Sequence, residues 1–179
     1  MKKNIFVTGK PGCGKTTLIK KISKEITEKF SGFYTEEIRE KGKRIGFKIK
    51  TLNKKEGILA HVNFKSKYHV GKYKVNLEDL EKIGVSAIEK GVREEKIVLI
   101  DEIGKMELLS PKFKRAVLNA LNSKNMVLGT VMLKKDPFCE KIKKRKDTII
   151  FYLNKENFRE VKKEIMNYIK KFKSHPQEK

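Results

Sequence analysis

Short apolar runs typical of strands take turns along the chain with segments in which apolar residues recur at helical spacing. This pattern predicts strands separated by helices. Asn4 to Thr8 form a short β-branched and aromatic run, after which apolar residues recur at helical spacing from Leu18 to Ile26. Ile97 to Ile100 are continuously apolar, as expected for a central parallel strand that is covered on both faces, and Met126 to Val131 repeat this pattern. Strands that alternate with helices predict an α/β fold with a mostly parallel central sheet flanked by helices.

A different pattern interrupts this alternation between the first and second predicted helices. Gly32 to Ile38 and Ile45 to Ile49 flank a charged turn, which indicates an inserted β-hairpin. Gly57 to Val62 is a candidate third strand, and Tyr68 to Val75 is a loop or an edge strand. Later in the chain, the pattern predicts a helix from Asn76 to Gly91, a helix from Ser110 to about Leu121, one or two helical turns after Pro137, a strand from Thr148 to Leu153 and a closing helix after Asn154.

The length of 179 residues is enough for one domain with its own core, so we expect a single domain over 1–173 and a frayed tail over 174–179. No apolar run approaches the roughly 18 residues that a membrane span needs. Cys13 and Cys139 are far apart in sequence and belong to no metal-binding or disulfide pattern. We therefore expect a cytoplasmic monomer with reduced thiols.

The charge is strongly unbalanced, with 44 basic against 22 acidic residues and a formal net charge of +22. Most of the excess is lysine, which can attract polyanions but is also typical of hyperthermophile proteins. We favour the second interpretation. Nucleic acid stays a possible partner, although the sequence contains no RNP motif, zinc module or helix-turn-helix to support it.

The residues with the clearest chemistry match G-x-x-x-x-G-K-[ST], and they lie between a predicted strand and a predicted helix. In such a loop, backbone N–H groups point at phosphate oxygens, and we expect Cys13 to contribute one. Lys15 would bring positive charge to the β and γ phosphates, and the Thr16 hydroxyl would bind Mg²⁺. The predicted nucleotide-binding residues of the loop are Gly9, Lys10, Pro11, Gly12, Cys13, Gly14, Lys15 and Thr16.

A second candidate site follows the apolar run at Ile97 to Ile100. A magnesium–nucleotide site needs another oxygen ligand beyond the carboxyl end of the strand that neighbours the first one, and Asp101 is in that position. Glu102 can orient the water that attacks the γ-phosphate or accept its proton. Thr16 and Asp101 are thus the predicted metal ligands, and the predicted nucleotide-proximal residues here are Leu99, Ile100, Asp101, Glu102, Ile103, Gly104, Lys105 and Met106.

Several segments together resemble the thermophilic nucleoside-triphosphatase family of the THEP1 type. They are Gly9 to Thr17, Gly32 to Arg39, Arg44 to Phe47, Gly71 to Val75 and Leu99 to Leu108, and the likeness spans most of residues 4 to 170. The resemblance implies a RecA-like P-loop NTPase fold. It also implies slow Mg²⁺-dependent hydrolysis of ATP, GTP and other nucleoside triphosphates, CTP and UTP among them, to the diphosphate and phosphate.

One departure from the family pattern concerns the transition-state cation. The family often has His and Arg after the strand that ends here at Val131, whereas this chain has Met132 to Pro137. Arg145 is a candidate to supply the missing charge, with a solvated basic face as the alternative, and Arg39 or Arg44 could instead reach across the site. The predicted catalytic residues are Lys15, Glu102 and Arg145.

Two other functions compete with hydrolysis. The loop from Gly9 to Lys15 also resembles that of nucleoside-monophosphate kinases, but those enzymes use arginine-rich acceptor and lid segments, and only six arginines are scattered through this chain. A nucleic-acid-binding ATPase would use the +22 charge to hold its partner. Nucleoside-triphosphate hydrolysis remains the leading prediction.

Overall fold

The structure of the protein is a computed structural model that describes residues 2–26 and 29–174, with side chains to residue 172. Its strands are β1 (Asn4–Thr8), β2 (Phe30–Glu40), β3 (Lys43–Thr51), β4 (Glu56–His61), β5 (His69–Val70), β6 (Tyr73–Val75), β7 (Ile97–Ile103), β8 (Val127–Val131) and β9 (Thr148–Tyr152). Its helices are α1 (Lys15–Glu25), α2 (Leu77–Asp79), α3 (Ser86–Arg93), α4 (Pro111–Asn122), α5 (Pro137–Lys143) and α6 (Phe158–Ser174). A π-helical stretch (Leu80–Val85) joins α2 to α3, and a 3₁₀ turn (Glu107–Leu109) precedes α4. Apart from Ser174, which ends α6, the expected tail lies outside the described residues.

All nine strands form one sheet in the order β5-β6-β4-β3-β2-β7-β8-β1-β9. The half formed by β2, β7, β8, β1 and β9 is parallel, which confirms the predicted α/β fold. The other half is antiparallel and larger than the inserted hairpin that the pattern indicated, because β4, β6 and β5 extend it. The last two of these strands are only three and two residues long, too short for alternation to distinguish them from a loop.

Strand β2 belongs to both halves of the sheet. Phe30 to Phe33 pair in parallel with Ile97 to Ile100 of β7, and the strand then continues past the end of that pairing as one arm of the hairpin with β3. The two strands approach closely at Gly32, where a Cβ atom would lie 2.0 Å from the Leu99 carbonyl oxygen. The sequence placed Gly32 only in the hairpin, whereas the structure uses it first in the parallel sheet.

Two apolar cores cover the two faces of the sheet. Successive side chains of β1 point to opposite faces, so this strand contributes to both cores. Phe6 packs into the core that contains α4, whereas Ile5 and Val7 pack into the core against α1 and α6. In α6, Val161, Ile165 and Ile169 recur at helical spacing and are buried in the core that contains Ile5 and Val7. Burial on both faces explains why β1, β7 and β8 are continuously apolar rather than alternating.

A third, smaller core of Ala60, Tyr73 and Val75 lies under the antiparallel edge, where Met106 and Leu109 pack against it. Among the described helices, none is long and apolar enough to cross a bilayer.

Candidate functional site

The parallel strands β1, β7, β8 and β9 end at the same edge of the sheet, and the loops that follow them define the candidate site. The glycine loop leads from β1 directly into α1. Gly14 precedes the helix with φ of 102°, a left-handed conformation that a side chain rarely adopts. The first turn of α1 contains no acidic residue, and Gly14 makes no side-chain cap. The N-terminal N–H groups of α1 therefore meet no competing carboxylate where an anion would bind.

Lys15 lies folded over the glycine loop. Its ammonium group donates hydrogen bonds to the carbonyl oxygens of Gly9 at 3.0 Å and Lys10 at 3.2 Å. The Cys13 N–H, which we expected to face a phosphate, donates to the Lys10 carbonyl across the loop at 3.2 Å. The Lys15 side chain thus holds its charge at the mouth of the loop through neutral partners that phosphate oxygens could replace.

Asp101 lies at the end of β7 and is fully buried. One carboxylate oxygen, Oδ1, accepts a hydrogen bond of 2.6 Å from the hydroxyl of Thr130 on β8. The other, Oδ2, is buried and has no hydrogen-bond partner of good geometry among the described residues. Burial raises the pKa of Asp101, and the hydroxyls of Thr130 and Thr16 and the Thr35 N–H oppose this rise. Thr16 and Asp101 are therefore close neighbours, as a shared metal ion would require.

Glu102 is half-buried and follows Asp101 directly. Burial raises the pKa of the Glu102 carboxyl, the Asp101 carboxylate raises it further, and Lys15 lowers it. These influences show that Lys15, from the loop after β1, lies near both acidic residues at the end of β7. A carboxylate with a raised pKa is a better proton acceptor near neutral pH than an ordinary glutamate.

Glu107 adds a third carboxyl group, on the 3₁₀ turn, and only 5% of its surface is exposed. Burial first, and then the Glu102 carboxylate, raise the pKa of Glu107 to about 8. A Cβ atom on Gly104 would lie 2.8 Å from Glu102 Oε1 and 3.2 Å from Glu107 Oε2, so the two carboxyl groups face the same point. The absence of a side chain at Gly104 leaves room for both.

The remaining residues predicted near the nucleotide have other surroundings. Leu99 and Ile100 are fully buried in the two opposite cores, and Ile103 is also buried in the core with Phe6. Lys105 is exposed, and Met106 packs under the antiparallel edge. On this strand, the structure therefore brings Asp101 and Glu102 toward Lys15 of the glycine loop. The apolar side chains of β7 point into the two cores instead, so the structure does not support nucleotide contact by them.

Arg145 does not reach the candidate site. Its guanidinium group pairs with Asp147 through two contacts of 2.9 Å and donates to the Leu121 carbonyl at 3.3 Å. Asp147 immediately precedes β9, and its carbonyl accepts from Lys3 and Asn4 at the start of β1. Arg145 thus lies at the amino edge of the parallel strands, opposite the glycine loop. This position contradicts the catalytic role that the sequence predicted for Arg145.

The two hairpin arginines also have partners of their own. Arg39 and Arg44 both bind the Glu37 carboxylate, and Arg44 donates to the Tyr73 hydroxyl at 3.0 Å. These contacts hold the turn of the hairpin together rather than placing a free cation over the glycine loop.

Sequence reasoning missed Thr130 because it is one small polar residue within the apolar run of β8. Its signal was position: a hydroxyl near the carboxyl end of a buried parallel strand needs a partner, and the ends of such strands meet at one edge. The sequence also predicted that β7 is the neighbour of β1, and this is wrong, because β8 lies between them. That order places Thr130 beside Asp101.

With this geometry established, comparison with known proteins gives a consistent result. A family model described as NTPase matches residues 4–166. The chain belongs to this NTPase family. It is 52% identical over 166 residues to a protein of Thermotoga maritima named nucleoside-triphosphatase THEP1, covering 93% of this chain and 95% of that protein. It is 38% identical over 173 residues to the human cancer-related nucleoside-triphosphatase, covering 88% of this chain and 91% of the human protein.

A solved structure agrees with these matches. The crystal structure of THEP1 from the hyperthermophile Aquifex aeolicus superposes with a TM-score of 0.86 at 35% identity, covering 92% of this chain and 98% of that chain. The predicted family resemblance, the fold class and the assignment of the chain as a nucleoside-triphosphatase are confirmed. The roles of individual residues stay predictions.

Proposed function

We propose that the protein hydrolyses nucleoside triphosphates to the diphosphate and phosphate with Mg²⁺ held between Thr16 and Asp101. The observation that supports this most directly is the buried Oδ2 atom of Asp101, which has no hydrogen-bond partner of good geometry among the described residues. Leaving a buried carboxylate oxygen without a partner is costly, and a divalent cation would remove that cost. The Thr16 hydroxyl beside it is a second oxygen ligand of the kind that Mg²⁺ prefers.

The phosphate chain would bind at the N-terminus of α1. There the N–H groups of the first turn of α1 would face the anion, and the Lys15 ammonium would exchange its bonds to Gly9 and Lys10 for β- and γ-phosphate oxygens. Mg²⁺, when bound, supplies positive charge to the same oxygens. Thr130 keeps Asp101 in place through its hydrogen bond to Oδ1, so that Oδ2 faces the ligand.

Glu102 is the residue that we propose acts on water. The water oxygen forms a bond to the γ-phosphorus as its proton passes to the Glu102 carboxylate, and the bond between the γ-phosphorus and the bridging oxygen breaks with its electrons going to the diphosphate. The raised pKa of Glu102 suits this step, because a base is most effective when its pKa approaches the working pH. We assign Lys15 as the cation that faces the developing charge.

The substrate range and setting of the reaction are also part of the proposal. We propose that ATP and GTP are accepted, with CTP and UTP as further substrates. The names of the relatives specify a nucleoside triphosphate but no base, and the glycine loop binds phosphates. A cytoplasmic location and a monomeric state remain predictions from the sequence.

The test incubates the protein with Mg·ATP, with and without nucleoside monophosphates, and follows free phosphate and phosphoryl transfer separately. We expect free phosphate at the same rate in both mixtures. Lys15→Ala should abolish most of it, whereas Lys163→Ala, at an exposed lysine of α6, should keep most of it. Transfer to a monophosphate would instead identify a kinase. Unchanged hydrolysis in Lys15→Ala would contradict the site.

A further inference from the structure

The antiparallel edge of the sheet has lysines but no carboxylates along one continuous segment. From Gly57 to Leu77, a stretch that includes β5, β6 and most of β4, the chain contains no Asp or Glu but has four lysines and two histidines. The neighbouring stretch 41–55 also lacks Asp and Glu and has six lysines and one arginine, so the composition of the edge is not unusual for this sequence. The edge differs from that stretch in the partners of its lysines.

The lysines of this segment are not neutralised by neighbouring carboxylates. Among the described residues, Lys65, Lys67, Lys72 and Lys74 form no ion pair. On the adjacent strand β3, by contrast, Lys48 and Lys50 bind Glu56 and Glu36. The edge thus presents ammonium groups whose hydrogen-bond donors are open to an external anion.

Exposed aromatic rings lie among these cations. Phe64 and Tyr68 are each 37% exposed, and they are two of the four large apolar residues that are exposed in the described part of the chain. The Lys67 ammonium lies 5.3 Å from the centre of the Tyr68 ring. Two aromatic rings therefore flank two ammonium groups within a segment of five residues.

The register of the strands places Lys74 and the two histidines together on one face. His61 pairs with Lys74, and Lys74 pairs with His69, so these three side chains share a face of the sheet. Tyr73 and Val75 occupy the opposite face, where they are buried in the small core. Alternation thus separates an apolar inner face from a basic outer face.

We propose that this basic edge, residues 61–74, binds single-stranded nucleic acid. Phosphate oxygens would replace the missing carboxylate partners of the lysines, and unstacked bases would lie on the rings of Phe64 and Tyr68. A duplex offers the same phosphates, but its bases are already stacked and cannot use the rings. Two exposed rings among four lysines match a short stretch of single strand.

The edge is separate from the nucleotide site. In the strand order, β5 lies seven positions from β1 and five from β7, which at about 4.8 Å per strand is roughly 30 Å and roughly 25 Å. Substitutions at the edge should therefore leave phosphate release unchanged, and hydrolysis by each variant serves as a check that it has folded.

The test measures fluorescence anisotropy of labelled oligouridine and oligothymidine of about 10 nucleotides over a series of salt concentrations. Lys65→Ala with Lys67→Ala should weaken binding and reduce the slope of log K against log salt by about 1.4, since each lost phosphate contact on a single strand contributes about 0.7. Phe64→Ala with Tyr68→Ala should weaken binding about tenfold or more at an unchanged slope. The matched control is Lys163→Ala with Lys170→Ala, two exposed lysines of α6, which removes the same charge elsewhere.

Several outcomes would overturn the proposal. Equal losses in the two lysine pairs would show that binding follows the overall charge. An unaltered affinity in the aromatic double variant, or equally tight binding of a duplex of the same length, would show that the rings hold no bases. Equal competition by inorganic polyphosphate would show a general anion surface, and binding to anionic phosphatidylserine vesicles in place of oligonucleotides would indicate a membrane surface.

Discussion

At the scale of single residues, the candidate site brings three carboxyl groups together, two of them near Lys15, and burial raises the pKa of each. Asp101 is fully buried with Thr130 as its hydrogen-bond donor, whereas Glu102 is half-buried and under the influence of Lys15. Glu107 is buried farther along the same loop. Adjacent residues of the same chemistry thus have different environments, so that their substitutions should have different consequences.

The first prediction concerns Glu102. Glu102→Gln keeps the shape of the side chain but removes its ability to accept a proton, so kcat should fall by about 10²- to 10⁴-fold while the Kd for ATP stays within a few-fold. Asp101→Asn should instead raise the Mg²⁺ concentration needed for activity. Stopped assays at several Mg²⁺ concentrations measure kcat and the Mg²⁺ requirement, and nucleotide titration measures the Kd for ATP. Glu160→Gln, on the exposed face of α6, is the control for the charge change. Parental turnover in Glu102→Gln would place the base elsewhere, with Glu107 as the next candidate.

The second prediction concerns Thr130, the residue that sequence reasoning missed. Thr130→Val is nearly isosteric but removes the hydrogen bond to Asp101 Oδ1, which leaves a buried carboxylate without its donor. The free energy of unfolding should drop by about 1–3 kcal/mol, and hydrolysis should fall with it. Thr130→Ser retains the hydroxyl and should recover most of the activity. Urea unfolding and phosphate release test this, and a Thr130→Val enzyme of parental activity would show that the bond does not position Asp101.

The third prediction concerns Glu107 and pH. Because the folded protein raises the pKa of Glu107 from 4.5 to about 8, the folded state holds a proton that the unfolded chain releases. This group therefore makes stability decrease as the pH rises from about 4.5 to about 8, by up to about 1.4 kcal/mol per pH unit. Glu107→Gln has no such proton, so its stability relative to the parent should increase steadily from pH 5 to pH 8. Urea unfolding at several pH values measures the difference, and a difference that does not vary with pH would contradict the assignment.

At the scale of elements, local patterns were predictable and strand order was not. The glycine loop and the Asp101–Glu102 pair each depend on consecutive residues, so the sequence was enough to locate them. The insertion of β8 between β1 and β7 depends on pairing between distant segments, and no local pattern records it. The misplacement of Arg145 was avoidable, because a residue that precedes a parallel strand lies at the opposite edge from a loop that follows one.

The fourth prediction concerns the start of α5, which the sequence located only as one or two turns after Pro137. The Asp136 carboxylate accepts hydrogen bonds from the N–H groups of Phe138 at 2.8 Å and Cys139 at 3.2 Å. Asp136→Ala should therefore lower the free energy of unfolding by about 1 kcal/mol, whereas Asp136→Asn retains an oxygen acceptor and should cost much less. Chemical unfolding of the two variants decides this, and equal losses would indicate that the charge of Asp136 rather than its capping bonds stabilises the helix.

At the scale of the whole molecule, the sheet joins two halves with different tasks. The parallel half holds the glycine loop and the acidic residues, and the antiparallel half holds the basic edge. The only direct pairing between the halves in the described sheet order runs through β2, whose first residues pair with β7 and whose later residues pair with β3. The integrity of the entire sheet should therefore be sensitive to substitutions at the junction of β2 and β7.

The fifth prediction tests this junction at Gly32. A Cβ atom at Gly32 would lie 2.0 Å from the carbonyl oxygen and 2.7 Å from the nitrogen of Leu99, and backbone atoms of a central strand cannot move away without breaking the β2–β7 pairing. Gly32→Ala should lower the free energy of unfolding by more than about 3 kcal/mol, a loss as large as that caused by overpacking a protein core. Gly42→Ala is the matched control, since Gly42 has a positive φ of 78° but nothing within 4 Å of the added atom, and strain alone should cost about 1 kcal/mol. Urea unfolding could instead show that both variants lose the same free energy of unfolding. Backbone strain, rather than the close approach of β2 and β7, would then explain the effect at Gly32, and the junction of the two halves would tolerate a wider strand separation than its geometry implies.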